Sequence, residues 1–311
     1  MQVSKNRKRL LRAAVTAVAI LSSFSFLSIP TRALTPTYEI SAEYRESVYA
    51  DELLAYELTG DMRRDVISVA LTQLGYHEGN SVLELGGGNW GGTRNFVEYN
   101  RVRGALDNGE GNGNSLGYAW CASFISWCLR QSGVPSSVAV SEVSCQRMVD
   151  WYRSTSVFHR RGDGYRPVPG DIIMFRYGSG GANHVGLVIG VEDGRVYTIE
   201  GNTSDMVGLR SYSLNNSAIL GYCVPDYVTE AGAVYDFPLS ADYSAGEYIT
   251  VAAQLNVRSG PAVSYARLGR LPAGSRVNVE EVRGEWGRIL YEGRVAWISL
   301  NYVVPDLSGW R

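Results

Sequence analysis

The chain has 311 residues, 45% of them apolar, with a formal net charge of −2 and three histidines. That balance lacks the basic footprint of a nucleic-acid binder, so no nucleic acid partner is expected. Lys8 is the last lysine, which rules out Schiff-base chemistry, lysine-bound pyridoxal and a phosphate-loop lysine beyond it, and no cofactor is called for.

Residues 1–33 read as a signal peptide. Lys5, Arg7, Lys8, Arg9 and Arg12 form a basic start, 13–29 an apolar core, Pro30 a break, and Thr31-Arg32-Ala33 a small-residue cleavage site. Left uncleaved, the same apolar run is borderline for spanning a membrane and is the only membrane contact the sequence suggests. Either way the remaining ~280 residues lie outside the cytoplasm, enough for one medium and one small domain.

Residues 34–61 form a polar, tyrosine-rich N-terminal segment, a leader or a short packing helix with helical character over 50–58. Val66, Val69, Ala70 and Leu74 then recur at helical spacing until Gly75. Residues 80–117 are rich in Gly and Asn and read as loop. Within them, Gly86 to Gly91 formally matches a dinucleotide-binding glycine pattern. No helix follows these glycines as such a site requires, so the stretch reads as a loop flanking a groove. A helix opens at Cys121, and 169–224 is strand-rich. Residues 225–246 read as a linker. Short alternating runs over 248–257, 276–282, 286–291 and 294–298 give 247–305 the signature of a small all-β barrel, followed by a tail at 306–311.

Cys121 carries the chemistry. A helix N-terminus offers free amide donors and partial positive charge, which favour the thiolate over the thiol. Downstream, His184 opens the apolar run Val185-Gly186-Leu187-Val188-Ile189. A cysteine at a helix start with a later histidine on a strand is the papain-like order of a thiol hydrolase. In such a pair the imidazole takes the thiol proton and later delivers it to the leaving amine. The imidazole needs an acceptor to orient it. A three-residue loop with Gly194 in the left-handed position pairs Val191 with Arg195 and brings Asn202 opposite His184, with Glu200 diagonal on the same face. Either Glu200 or Asn202 then serves. The backbone amide of Cys121 is the oxyanion donor, with Tyr118 as a second, and Trp120 is expected at the mouth of the groove. His77 and His159 are rival bases: one follows a helix end, the other sits beside Arg160 and Arg161. With Cys121 a free nucleophile and Cys128 a buried apolar residue, Cys145 and Cys223 are the remaining pair for a disulfide.

Val66 to Gly79, Tyr118-Ala119-Trp120-Cys121, Pro169-Gly170-Asp171, Asn183-His184-Val185-Gly186 and Ile199-Glu200-Gly201-Asn202 together resemble a CHAP domain, the cysteine, histidine-dependent amidohydrolase/peptidase module of cell-wall hydrolases, over 62–224. The resemblance implies an α+β papain-like fold with Cys121, His184, Glu200 and Asn202 as catalytic residues. Leu255-Asn256-Val257-Arg258-Ser259-Gly260-Pro261, Leu271-Pro272-Ala273-Gly274, Gly284-Glu285-Trp286-Gly287 and Ala296-Trp297-Ile298 resemble a bacterial SH3-like domain, which implies binding to a cell-wall polymer. Some CHAP relatives carry an acidic calcium loop ahead of the cysteine. Asp107 and Glu110 are too few carboxylates for one, so no metal site is expected. The expectation is an exported, wall-associated peptidoglycan hydrolase acting on an amide of the wall peptide, as amidase or endopeptidase. The alternatives are a wall-binding scaffold without activity, or an enzyme in which an amine resolves the acyl intermediate.

Overall fold

Two serines start the fold. The computed structural model describes residues 31–88, 91–107, 116–237, 239, 243–252, 254–272 and 274–306. The expected signal segment lies outside these residues except for 31–33, as do Glu110 and the tail from 307. β1 (Arg32–Ala33) pairs with β2 (Glu57–Leu58), and α1 (Ala42–Arg45) and α2 (Val48–Ala55) lie between them. Ser41 and Ser47 cap these helices, their hydroxyl oxygens accepting from the N–H groups of Tyr44 and Ala50. Leu34, Tyr44, Tyr49 and Leu53 are buried in the main core, so this segment packs as part of the body.

α3 (Met62–Leu71) follows, capped by Asp61, and its run ends at Gly75 in the left-handed conformation (φ 83°). Buried Asp65 accepts from the Tyr56 hydroxyl at 2.8 Å and the Thr59 and Gly60 amides at 2.9 and 3.0 Å, tying the entry segment to α3. The expected loop over 80–117 contains a 3-10 turn at Val82–Glu84 and two short helices, α4 (Glu98–Arg101) and α5 (Arg103–Leu106). That turn stands where a dinucleotide site would need a strand.

Helices α6 (Cys121–Gln131) and α7 (Cys145–Ser154) pack with α3 on one face of a six-stranded antiparallel sheet. Its strands are β3 (Phe158–Arg160), β4 (Ile172–Phe175), β5 (His184–Glu192), β6 (Arg195–Glu200), β7 (Gly208–Ser213) and β8 (Ile219–Cys223), in the order β3-β8-β4-β5-β6-β7. Side chains alternate across the pleat. Ile172, Met174, Val185 and Leu187 face the helices, while Ile173, Phe175, Val188 and Val196 form a second cluster on the other face. Both faces are covered, which is why β4 reads as an unbroken apolar run. Pro169-Gly170-Asp171 is a fixture of this sheet. The buried Asp171 carboxylate accepts from the Tyr165 hydroxyl (2.7 Å), the Val168 amide (2.9 Å) and Arg63 (3.4 Å).

The β5–β6 hairpin reaches the expected register by a different route. Glu192 pairs with Arg195 across a two-residue Asp193-Gly194 turn, both residues at positive φ (46° and 74°), as a type I′ turn requires. That turn alone would have moved Glu200 and Asn202 one step away from His184. A bulge between Val188 and Gly190 restores the register, so Leu187 pairs with Ile199.

The expected linker is strapped to the body. The Tyr227 hydroxyl donates to Gly170 O, while the Glu230 amide and the Tyr235 hydroxyl both donate to Asp61. The C-terminal barrel comprises β9 (Gly246–Thr250), β10 (Gln254–Arg258), β11 (Arg267–Pro272), β12 (Arg276–Val279), β13 (Glu281–Arg283), β14 (Trp286–Tyr291), β15 (Arg294–Ser299) and β16 (Val303–Pro305). They form sheets ordered β11-β10-β15-β14-β13 and β12-β9-β16. The runs expected at 248–257 and 276–282 are thus each two strands in different sheets, and β11 and β16 are added strands. Val257, Val279, Ala296 and Ile298 fill the barrel. Ile249 and Val251 belong instead to the main core, and Arg276 pairs with Glu52, so the barrel docks on the N-terminal helices.

Candidate active site

Cys121 is the first residue of α6, preceded by Trp120 in a non-helical conformation. The thiol therefore sits where the helix leaves its amides unpaired. His184 is the first residue of β5, and its imidazole and the Cys121 thiol are near enough to shift one another's protonation. On its other side, His184 Nε2 donates to Glu200 Oε2 at 2.8 Å, which leaves Nδ1 as the ring nitrogen for the thiol.

Glu200 is fully buried and satisfied by three donors. Thr198 donates to Oε1 at 2.6 Å, and Tyr212 joins His184 on Oε2 at 3.2 Å. Opposite Glu200 stands Gly186, where a Cβ would lie 2.7 Å from Glu200 Cγ. The absence of a side chain there is what lets the carboxylate lean toward the histidine. Gly201 passes so close to α6 that a Cβ would meet Phe124 at 2.6 Å and Trp120 at 2.9 Å. Asn202 then takes the left-handed conformation (φ 55°), and its side-chain Nδ2 donates to Asn95 Oδ1 at 3.2 Å. Each residue of Glu200-Gly201-Asn202 thus has a separate task, and the histidine's partner is Glu200.

The electrostatics follow from these contacts. The Cys145 thiol, 3.6 Å from Cys121 Sγ, holds the Cys121 thiol well below its ordinary range. Burial opposes this, and the bond and charge of His184 reinforce it. Burial alone would disfavour a charged His184, but its bonds and charge interactions with Cys121 and Glu200 outweigh that and raise it to about 10. Both shifts favour the thiolate–imidazolium form of the pair over the neutral one.

Other expected positions fall elsewhere. Trp120 does not face the groove: it is fully buried, with Nε1 donating to Glu78 Oε2 at 2.8 Å. The other oxygen of Glu78 accepts from the Asn95 backbone amide at 2.9 Å, so one buried carboxylate ties the residue before Cys121 to the loop under Asn202. Tyr118 is 56% exposed, its ring against the Arg103 guanidinium, and stands at the rim. His77 is buried, which lowers its pKa and leaves it a poor base. His159 lies on β3 at the sheet edge, stacked on Tyr165 and bonded to Asp163. No disulfide joins Cys145 and Cys223; all four cysteines are free thiols. Asp107 pairs with Arg147. Among the described residues no group of three or more His, Cys, Asp or Glu is arranged to hold a metal.

Thr198 could be read from the sequence, since it lies two residues before Glu200 on the same strand face. Cys145, Glu78 and Tyr212 could not, because each reaches the site through packing between distant elements. On the barrel, a groove of about 660 Å³ is lined by Gln254, Asn256, Arg258, Trp286, Asn301 and Tyr302.

Residues 111–202 match the CHAP domain family and residues 253–304 the bacterial SH3 domain family. A stretch of 68 residues is 35% identical to "Putative N-acetylmuramoyl-L-alanine amidase YrvJ" of Bacillus subtilis (strain 168), covering 21% of this chain and 13% of that protein. Two crystal structures of Ly7917, one with the hydrolyzing product of MDP, align over 65% of this chain and 90% of theirs, at 17% and 18% identity and a TM-score of 0.29. The chain carries a CHAP domain followed by a bacterial SH3 domain.

Proposed function

We propose that the protein is an exported, wall-associated peptidoglycan hydrolase that cleaves an amide of the wall peptide through a Cys121 acyl-enzyme. The observation that carries this reading is the placement of Cys121 at the start of α6 and His184 at the start of β5, with the His184 ring bonded to the buried Glu200 carboxylate. The two matched families and the name of the Bacillus subtilis relative support the substrate class.

In the proposed reaction the thiolate attacks the carbonyl carbon and forms the C–S bond. The amide at the start of α6 holds the oxyanion. His184, charged at neutral pH, gives its proton to the departing amine as the C–N bond breaks. Water then enters, His184 takes one of its protons, and the thioester opens to a carboxylic acid and the free thiolate. Glu200 holds the ring and its charge through both steps. Asn202 acts on the loop beneath the site and not on the ring. The catalytic body includes the N-terminal helices, which share its core, and the barrel groove with Trp286 and Tyr302 holds the polymer.

The test is mass spectrometry of fragments released from purified sacculi by the wild type, with Cys121→Ala in parallel. Free stem peptides with intact glycan strands identify an amidase, and cut cross-links or shortened stems an endopeptidase. Identical traces from both proteins would refute the enzymatic reading and favour a binding scaffold.

A further inference from the structure

The mechanism above uses one cysteine, yet two meet at the site. Cys145 opens α7 as Cys121 opens α6, and the two sulfurs are 3.6 Å apart. A disulfide needs about 2.05 Å, so a closing movement of roughly 1.5 Å joins them. The other two thiols are placed differently. Cys128 and Cys223 are fully buried, whereas Cys121 and Cys145 retain 7% and 9% exposure. Of the four cysteines, this pair is the more accessible to solvent.

We propose that Cys121 and Cys145 form a reversible disulfide, making the active site an oxidation-sensitive lock in which Cys145 is the resolving thiol. The proposal rests on Cys121 being the nucleophile of the reading above. With hydrogen peroxide as oxidant, the Cys121 thiolate attacks one oxygen. An S–O bond forms, the O–O bond breaks, and the departing hydroxide takes a proton to leave as water. The Cys145 thiol then attacks the sulfenic sulfur. The S–S bond forms, the S–O bond breaks, and the second hydroxide leaves as water with the Cys145 proton. Two thiols and one peroxide become one disulfide and two waters. A dithiol reverses the lock by exchange, itself becoming the disulfide.

Without the neighbouring thiol, the sulfenic acid goes on to the sulfinic acid, which dithiols do not reduce. Cys145 thus converts an irreversible loss into a reversible one. The bond also draws on the histidine's approach. Gln146, next to Cys145, accepts from the Ala182 amide at 2.8 Å in the segment leading to His184. Movement at the start of α7 is passed to that segment.

The experiment exposes the full chain to graded hydrogen peroxide, blocks free thiols with iodoacetamide and maps the cysteines. Tryptic peptide 104–130 holds both Cys121 and Cys128, so a second cleavage at Phe124 and Trp127 separates them. In the wild type, a peptide joining Cys121 to Cys145 is expected to form in step with loss of wall-fragment release, and dithiothreitol restores both. In Cys145→Ala and Cys145→Ser the loss is expected to be permanent, with Cys121 recovered as sulfinic acid. Wild-type Cys121 passing to sulfinic acid with no linked peptide overturns the proposal, and so does a link from Cys145 to another cysteine. The wild-type mapping decides this even if both variants misfold. A protein that forms the 121–145 link but never releases wall fragments leaves the disulfide standing and refutes the hydrolase reading instead.

Discussion

Gly186→Ala isolates the role of Glu200 without touching a polar group. The new methyl would lie 2.7 Å from Glu200 Cγ and 3.3 Å from Oε1, against a comfortable carbon–carbon separation of about 3.5–4.0 Å. Glu200 is fully buried and held by Thr198, Tyr212 and His184, so relief requires a shift of about 1 Å. A shift of that size takes the 2.8 Å bond to His184 out of hydrogen-bonding range. Overpacking costs about 1–3 kcal/mol, and a hydrogen bond to a charged group contributes about 1.5–3 kcal/mol. Together these predict a loss of about 2.5–6 kcal/mol, or roughly 5–24 °C in Tm for a body of this size. If the second of these also supports the transition state, kcat/KM falls about 10- to 100-fold. The assays are thermal unfolding and release of soluble fragments from sacculi across pH. Gly190→Ala is the control: its methyl meets Leu239, far from the carboxylate. It is expected to lower Tm while sparing the pH profile. Wild-type kcat/KM and an unchanged alkaline limb in Gly186→Ala would refute the reasoning.

Three further outcomes are expected. Activity should fall as pH rises through about 10, because loss of the His184 proton leaves the thiolate without the acid that frees the amine; Glu200→Gln should move that limb to lower pH, seen in kcat/KM against pH. In Cys121→Ala, which removes one of the two partners that raise it, His184 should titrate below its wild-type position by NMR. Glu78→Ala should cost about 2–6 kcal/mol, since it orphans the buried Trp120 indole N–H and the Asn95 amide at about 1–3 kcal/mol each, read as a lowered urea midpoint.

Local chemistry was legible in the sequence. A cysteine ahead of helically spaced residues has to open the helix, and it opens α6. A histidine ahead of an apolar alternating run has to begin the strand, and it begins β5. The barrel, too, was visible from its short alternating runs and turn residues. These features depend on neighbours within a few positions, and periodicity records them. What the sequence could not determine was anything carried by a contact between distant segments. The turn at Asp193-Gly194 has two residues, and the bulge at Ile189 restores the register, a compensation that depends on how β5 packs against the helices on one face and the second cluster on the other. Trp120 turned inward because Glu78, forty-two positions earlier, offers its indole a buried acceptor. Cys145 came to lie against Cys121 because α7 docks beside α6 with the two helix starts together. Spacing along the chain picked out Cys121 and His184 as the candidate pair; the packing of helices on the sheet decided which acidic group bonds the histidine and which second thiol stands beside Cys121.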